Sequence, residues 1–106
     1  MTDRQSGEDL RLLRNDARSR YEAWLGDTRA GIATYRESDA GVTFIHTIVE
    51  GAFGGRGVGS RLAEFALSDA VSRGKRIIPK CPFIRAYLAD HHEFDEYVEH
   101  PDLVSP

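Results

Sequence analysis

Two residues in this chain combine a reactive side chain with a telling position. Cys81 is the only cysteine, and it lies in IIPKCPF, between Pro79 and Pro82. Pro82 disfavours helical geometry at the residue before it and is itself well suited to open a helix. The pattern predicts that Cys81 caps a helix over 82–90, just past the carboxyl end of a strand, where open α/β sheets place ligands. A thiolate at a helix N-terminus is stabilised, and Lys80 can add to that. Cys81 is then either a small buried hydrophobe or a group that meets a reactive ligand. His46 lies in GVTFIHTIVE, and strict alternation sets it on one side with Phe44 and Ile48. It is either a satisfied core or groove histidine or a general base, because imidazole titrates near neutrality. A β-bulge in this strand would change which way it points. Glu22 is a weaker base candidate.

A third pattern is backbone chemistry. GAFGGRGVGSRL, 51–62, carries Gly51, Gly54, Gly55, Gly57 and Gly59 between a strand signal and a helix signal. Successive backbone N–H groups at such a junction, aided by the helix dipole, form an anion site suited to phosphate or pyrophosphate. A simple turn needs one or two glycines, not five. A Walker loop fails at Ser60-Arg61, where Lys followed by Ser or Thr is required. A dinucleotide fingerprint fails on glycine spacing and on its missing acidic partner.

The elements that must position these groups follow from periodicity. Leu10, Leu12 and Leu13 suggest a short first strand, with NDARS as a turn. RYEAWLG (20–26) and AGIATYR (30–36) read as an antiparallel hairpin across GDT. GVTFIHTIVE (41–50) is apolar on both faces, as in a covered sheet. From Val58 the apolar residues Leu62, Ala63, Ala66, Leu67, Ala70 and Val71 trace a helical stripe that Gly74 ends. KRIIP is a short buried strand, and CPFIRAYLADHHEF turns helical with Phe83 and Tyr87 inward and Leu88 a further candidate. The tail EYVEHPDLVSP shows no clear period. The order is β-β-β-α-β-α. A long crossover joins 41–50 to KRIIP, so those two strands are parallel. The fold class is α/β of the α+β mixed kind: a mixed, mostly antiparallel sheet covered by helices, with the β-α-β crossover around the glycine-rich loop.

The 106 residues suffice for one domain, expected over 10–106, with a frayed polar stretch over 1–9. A net charge of −3 argues against a nucleic-acid partner. The cluster Arg11, Arg14, Arg18, Arg20 reads as a solvated flank. The short apolar runs exclude a membrane span, and one unpaired cysteine suits the cytoplasm. His91-His92 with Glu93, Asp95 and Glu96 lacks the spacing of a metal site and reads as a solvated face, so no metal is expected.

Gly54-Gly55-Arg56-Gly57-Val58-Gly59 resembles the acyl-CoA-binding signature [QR]xxGx[GA] of the GNAT superfamily of N-acetyltransferases. Gly57 and Gly59 match, whereas Gly54 stands where that family has Arg or Gln. Arg20-Tyr21-Glu22, His46-Thr47, Pro79-Lys80-Cys81-Pro82-Phe83 and Tyr87-Leu88 followed by His91-His92 resemble the small single-domain Yjdj-type branch, over about residues 10–98. The resemblance implies an acetyl-CoA-dependent N-acetyltransferase acting on an amine acceptor, with CoA as product. The alternative is a non-catalytic CoA-binding module or an interaction domain that keeps the fold.

On this resemblance the CoA pyrophosphate sits on the amides around Gly54, Gly55, Arg56, Gly57, Val58, Gly59 and Ser60, with Arg56 or Arg61 supplying charge. The pantetheine arm runs between the splayed strands, along Thr47, Ile48 and Val49. Cys81 lies near the thioester. It carries the acetyl group covalently, protonates the departing thiolate, or lines the pocket while the amine attacks directly, which is the favoured route. Tyr87 is the counterpart of the tyrosine that protonates the leaving thiolate in many such enzymes, or else an ordinary core tyrosine.

Overall fold

The computed structural model describes residues 10–51 and 57–99. Four strands come first: β1 (Leu10–Asn15), β2 (Arg20–Leu25), β3 (Thr28–Ser38) and β4 (Gly41–Val49). Helix α1 (Val58–Ser72), strand β5 (Ile77–Pro79) and helix α2 (Pro82–Ala89) follow, and then a 3-10 helix (His92–Tyr97). Four strands therefore precede α1, not three, because β1 pairs with β2 over its whole length. The sheet order is β1-β2-β3-β4-β5, antiparallel throughout except for the parallel β4–β5 pair expected of a crossover.

Alternation explains the layers. Tyr21 and Ala23 turn to one face of β2, and Glu22 and Trp24 to the other. On the first face Tyr21 packs edge-on against Phe65 of α1, with ring centroids 5.9 Å apart, and beside Tyr35 and Phe44. The apolar stripe of α1 is buried there as its period requires. Helix α2 lies in the same layer. It touches α1, β4 and β5, and it buries Ile84 and Leu88, four residues apart. Phe83, read from sequence as inward, is 39% exposed. Pro82 fixes where α2 begins, and that phase turns Ile84 to the core in its place. Among the described residues both helices cover one face of the sheet, and none covers the other.

Each end of α1 is made differently. At its C-terminus the Gly74 N–H donates to Val71 O at 2.9 Å and the Lys75 N–H to Ala70 O at 2.9 Å. Gly74 is left-handed, with φ of 76°, which completes a Schellman stop. In the last turns Asp69 accepts from Arg14 Nη1 (2.7 Å), the Tyr21 hydroxyl (2.7 Å) and Arg73 Nε (3.1 Å). Arg73 and Lys75 both reach Glu37 of β3. Burial alone would raise the Asp69 carboxyl, but the bonds from Tyr21 and Arg14 outweigh it and hold the group below its usual range. Burial, then the bond to Asp69, pushes the Tyr21 phenol well above its ordinary value. This clasp ties β1, β2 and β3 to one helix end. Arg14, expected as part of a solvated flank, belongs to it.

Gly41 shows how close β5's approach is. Its φ is 143°, and a Cβ there would lie 2.5 Å from Arg76 O. The neighbouring Val42 N–H donates to that carbonyl at 2.9 Å. Val98 bridges the outer edge of Ile77, so the last described residues seal β5. No described helix is long and apolar enough to cross a membrane.

Candidate functional site

The site begins where β4 outlasts β5. Pairing runs only from Val42–Ile77 to Phe44–Pro79, and the Lys80 N–H makes a last contact with Phe44 O at 3.0 Å. Pro79 ends the strand because it has no N–H to donate. β4 continues to Val49, so its edge from Ile45 onward has no described strand beside it. A backbone edge of this kind can accept a ligand as it would another strand.

A bulge sets which residues face this opening. Thr34 pairs with His46 and Tyr35 with Phe44, leaving Ile45 as the extra residue. Before it, Val42 and Phe44 point to the helical face. After it, Thr47 and Val49 do, because they pair with Ala33 and Gly31, and a Cβ on Gly31 would point at Leu62 of α1. His46 and Ile48 therefore turn to the bare face, His46 exposed and Ile48 52% exposed. The alternation that grouped His46 with Phe44 is broken at Ile45; only Ile48 stays with His46.

Cys81 closes the opening from the far side. It is the N-cap of α2, extended at φ −82° and ψ 127°, with Pro82 as the first helical residue. Its carbonyl accepts the first helical bond, from the Arg85 N–H at 3.0 Å. Its side chain caps nothing and is 2% exposed, with Sγ hydrogen-bonded to Thr47 Oγ1 at 3.3 Å. Arg85 Nε donates to Pro79 O at 2.9 Å, pinning α2 to the end of β5. The structure thus brings together Cys81 and Thr47 across the parted strands. A hydroxyl both donates and accepts, so Thr47 can serve the thiol in either protonation state. No local pattern marks this pair, since the two residues are 34 positions apart.

The N-terminus of α1 lies at the same end of the sheet. Gly57 is the N-cap, left-handed at φ 77°, with no side-chain cap and no acidic residue in the first turn. The first helical bond runs from the Arg61 N–H to Gly57 O at 3.0 Å. The amides of Val58, Gly59 and Ser60 therefore have no acceptor within the helix. Gly59 admits the Phe83 ring, which a Cβ would meet at 2.7 Å, so the two helix starts adjoin. Gly54, Gly55 and Arg56, read above as part of the phosphate cradle, lie outside the described residues.

Other candidates stand apart from this cluster. Tyr87 lies six residues past Cys81, about 9 Å along the helix axis. It stacks on His91 with centroids 3.8 Å apart. Burial, then the charges of Glu64 and Glu93, raises its phenol. Glu22 accepts from Trp24 Nε1, Arg20 Nε and Asn15 Nδ2 at 2.9, 2.7 and 3.0 Å. Burial works against its ionisation, but the bonds from Trp24 and Arg20 prevail and keep it low. Its lone pairs are engaged on the bare face. His92 lies 3.1 Å from Asp95 and His91 3.7 Å from Glu93. Among the described residues no three His, Cys, Asp or Glu side chains gather as a metal site would need.

A parallel strand pair that opens past three residues, with two helix N-termini and a buried thiol at its mouth, marks the candidate site of this α/β domain. A model of the GCN5-related N-acetyltransferase family matches residues 20–97. The chain belongs to that family. No curated protein matches its sequence.

Proposed function

We propose that the chain is an acetyl-CoA-dependent N-acetyltransferase. The observation that carries this reading is the Cys81–Thr47 pair across the open β4–β5 edge, beside a helix start whose amides have no partner among the described residues, in a chain of this family. The pantetheine arm lies along the free edge of β4. Thr47 and Val49 face it with side chains, and Ile48 contributes its main chain alone. The pyrophosphate takes the amides of Val58, Gly59 and Ser60 and of the preceding Gly54–Gly57 stretch, where anions are favoured. The combination of Arg20-Tyr21-Glu22, His46-Thr47 and Pro79-Lys80-Cys81-Pro82-Phe83 supports the small Yjdj-type branch. The cytoplasm is the proposed compartment, on its one unpaired cysteine.

Chemistry proceeds by direct attack. The amine lone pair adds to the thioester carbonyl, the C–S bond breaks, and CoA leaves as thiolate. Cys81 supplies the proton to that sulfur, Thr47 donates to the resulting Cys81 thiolate, and the thiolate regains its proton from the nitrogen of the adduct as the amide forms. His46, exposed beside the opening on the bare face, takes the proton from the incoming ammonium. Tyr87 is the alternative donor to the thiolate, further along α2. A covalent acetyl-Cys81 route is the second reading, favoured by the place of the thiol at the N-terminus of α2. Thiol release from acetyl-CoA with a panel of amines tests the activity, and no release with any amine overturns it. Intact mass after mixing separates the two routes: direct attack leaves no acetyl adduct that hydroxylamine removes.

A further inference from the structure

The bare face of the sheet is basic. Arg11, Arg20, Arg29 and Arg36 all turn to it: Arg11 stands 6.0 Å over the Trp24 ring, Arg20 bonds Glu22, Arg29 pairs with Trp24 and Arg36 with Thr43. Glu22 is the one carboxylate that the strands place there, and it is buried and already occupied by three donors. Arg29 and Arg36 are exposed and pair with no acidic group among the described residues. They sit near the two ends of β3. The chain as a whole carries a net charge of −3, so this face is positive against a negative remainder.

Between the arginines the face is apolar. Trp24 is half-buried, Ile32 pairs with Ile48, and Ile48 is more than half exposed. A basic rim around apolar side chains is complementary to a polypeptide with acidic and apolar residues. A phosphate backbone would use the arginines and leave Ile32 and Ile48 idle. The face also meets the site. His46 and Ile48 lie on it where β4 loses β5, with Thr47 and Cys81 on the other side of the same strand.

We propose that this face seats an acidic, partly apolar polypeptide segment and, resting on the acetyl-transfer reading above, that the segment presents the acceptor amine at the β4–β5 opening. Trp24, the chain's only tryptophan, reports on occupancy directly. The experiment titrates the full chain with a synthetic peptide of alternating glutamate and leucine around one lysine, following Trp24 emission. Arginine-for-glutamate peptide, oligothymidylate and phosphatidylserine vesicles are the comparison arms. The acidic peptide shifts the emission saturably and the basic one does not. Arg29→Gln with Arg36→Gln weakens binding by roughly tenfold, since an exposed ion pair is worth up to about fivefold, and leaves acetyl transfer to a small amine unchanged. No Trp24 response to the acidic peptide, or tighter binding of the oligonucleotide or vesicles, overturns the docking proposal whether or not acetyl is transferred. A saturable response with no thiol release from any amine sustains the docking face and sinks the enzymatic reading instead. Transfer to small amines with no rate gain for the docked lysine peptide removes the acceptor role.

Discussion

The two ends of α1 are opposites. At the C-terminal end Asp69 takes three donors, Arg73 and Lys75 hold Glu37, and Gly74 turns the chain so that the last carbonyls are answered. At the N-terminal end the cap is a glycine with no side chain to answer the free amides, and no carboxylate sits in the first turn. One helix thus has one end tied into the protein's own polar network and another with no such tie among the described residues. Helices are ordinarily capped at both ends by their own residues, because an unanswered amide lowers stability. The difference implies that the clasp fixes the helix so that its other end can be held open without loss of order.

The largest effect should come from breaking the tied end. Asp69→Ala leaves the Tyr21 hydroxyl and two guanidinium groups without their shared acceptor, and should cost about 3 kcal/mol in urea unfolding. A loss below about 1 kcal/mol would mean that the clasp is ornamental. Acid should act on the same group more gradually. Asp69 and Glu37 have carboxyls held below their unfolded values. The stability they contribute is present above the unfolded carboxylate range, near pH 4, and is lost as pH falls through the lower folded values. Asp69→Asn should flatten that part of the pH–stability curve, and an unchanged acid limb would contradict the assignment.

Smaller effects belong to the open end. Gly57→Ala forces a side chain into a left-handed residue with no clash around it, so only backbone strain of about 1 kcal/mol is expected. Ser60→Glu separates the two ends most sharply because its effects have opposite signs. A carboxylate in the first turn should stabilise the free protein by about 0.5 kcal/mol and weaken acetyl-CoA binding by about tenfold, since it competes for the same amides. If both quantities move the same way, the N-terminus of α1 is not reserved for an anion.

What the sequence made legible was local. Val58 to Ala70 announced the helix by period, Gly74 its stop, Pro82 the start of the next, and the position of Cys81 followed from the two prolines around it. The β4–β5 crossover followed from chain order. Three features escaped for a common reason: each depends on partners distant in sequence. The bulge at Ile45, which turns His46 away from Phe44, is set by β3 and leaves no mark in GVTFIHTIVE. The Asp69 clasp joins side chains up to 55 positions apart. The basic face gathers Arg11, Arg20, Arg29 and Arg36 from three strands. Arg11, Arg14, Arg18 and Arg20 looked like one cluster in sequence, but strand alternation sends Arg14 to the clasp and Arg11 and Arg20 to the opposite face.

If the free end of α1 and the open edge of β4 form one site for acetyl-CoA, the ligand must perturb both together. Amide chemical-shift mapping of the labelled chain during an acetyl-CoA titration tests it most directly. Saturable shifts, in the micromolar to millimolar range usual for enzyme ligands, are expected at Thr47, Val49, Val58, Gly59, Ser60 and Cys81, with Asp69, Arg73 and Gly74 unmoved. Shifts centred on the clasp, or none at millimolar ligand, would contradict it.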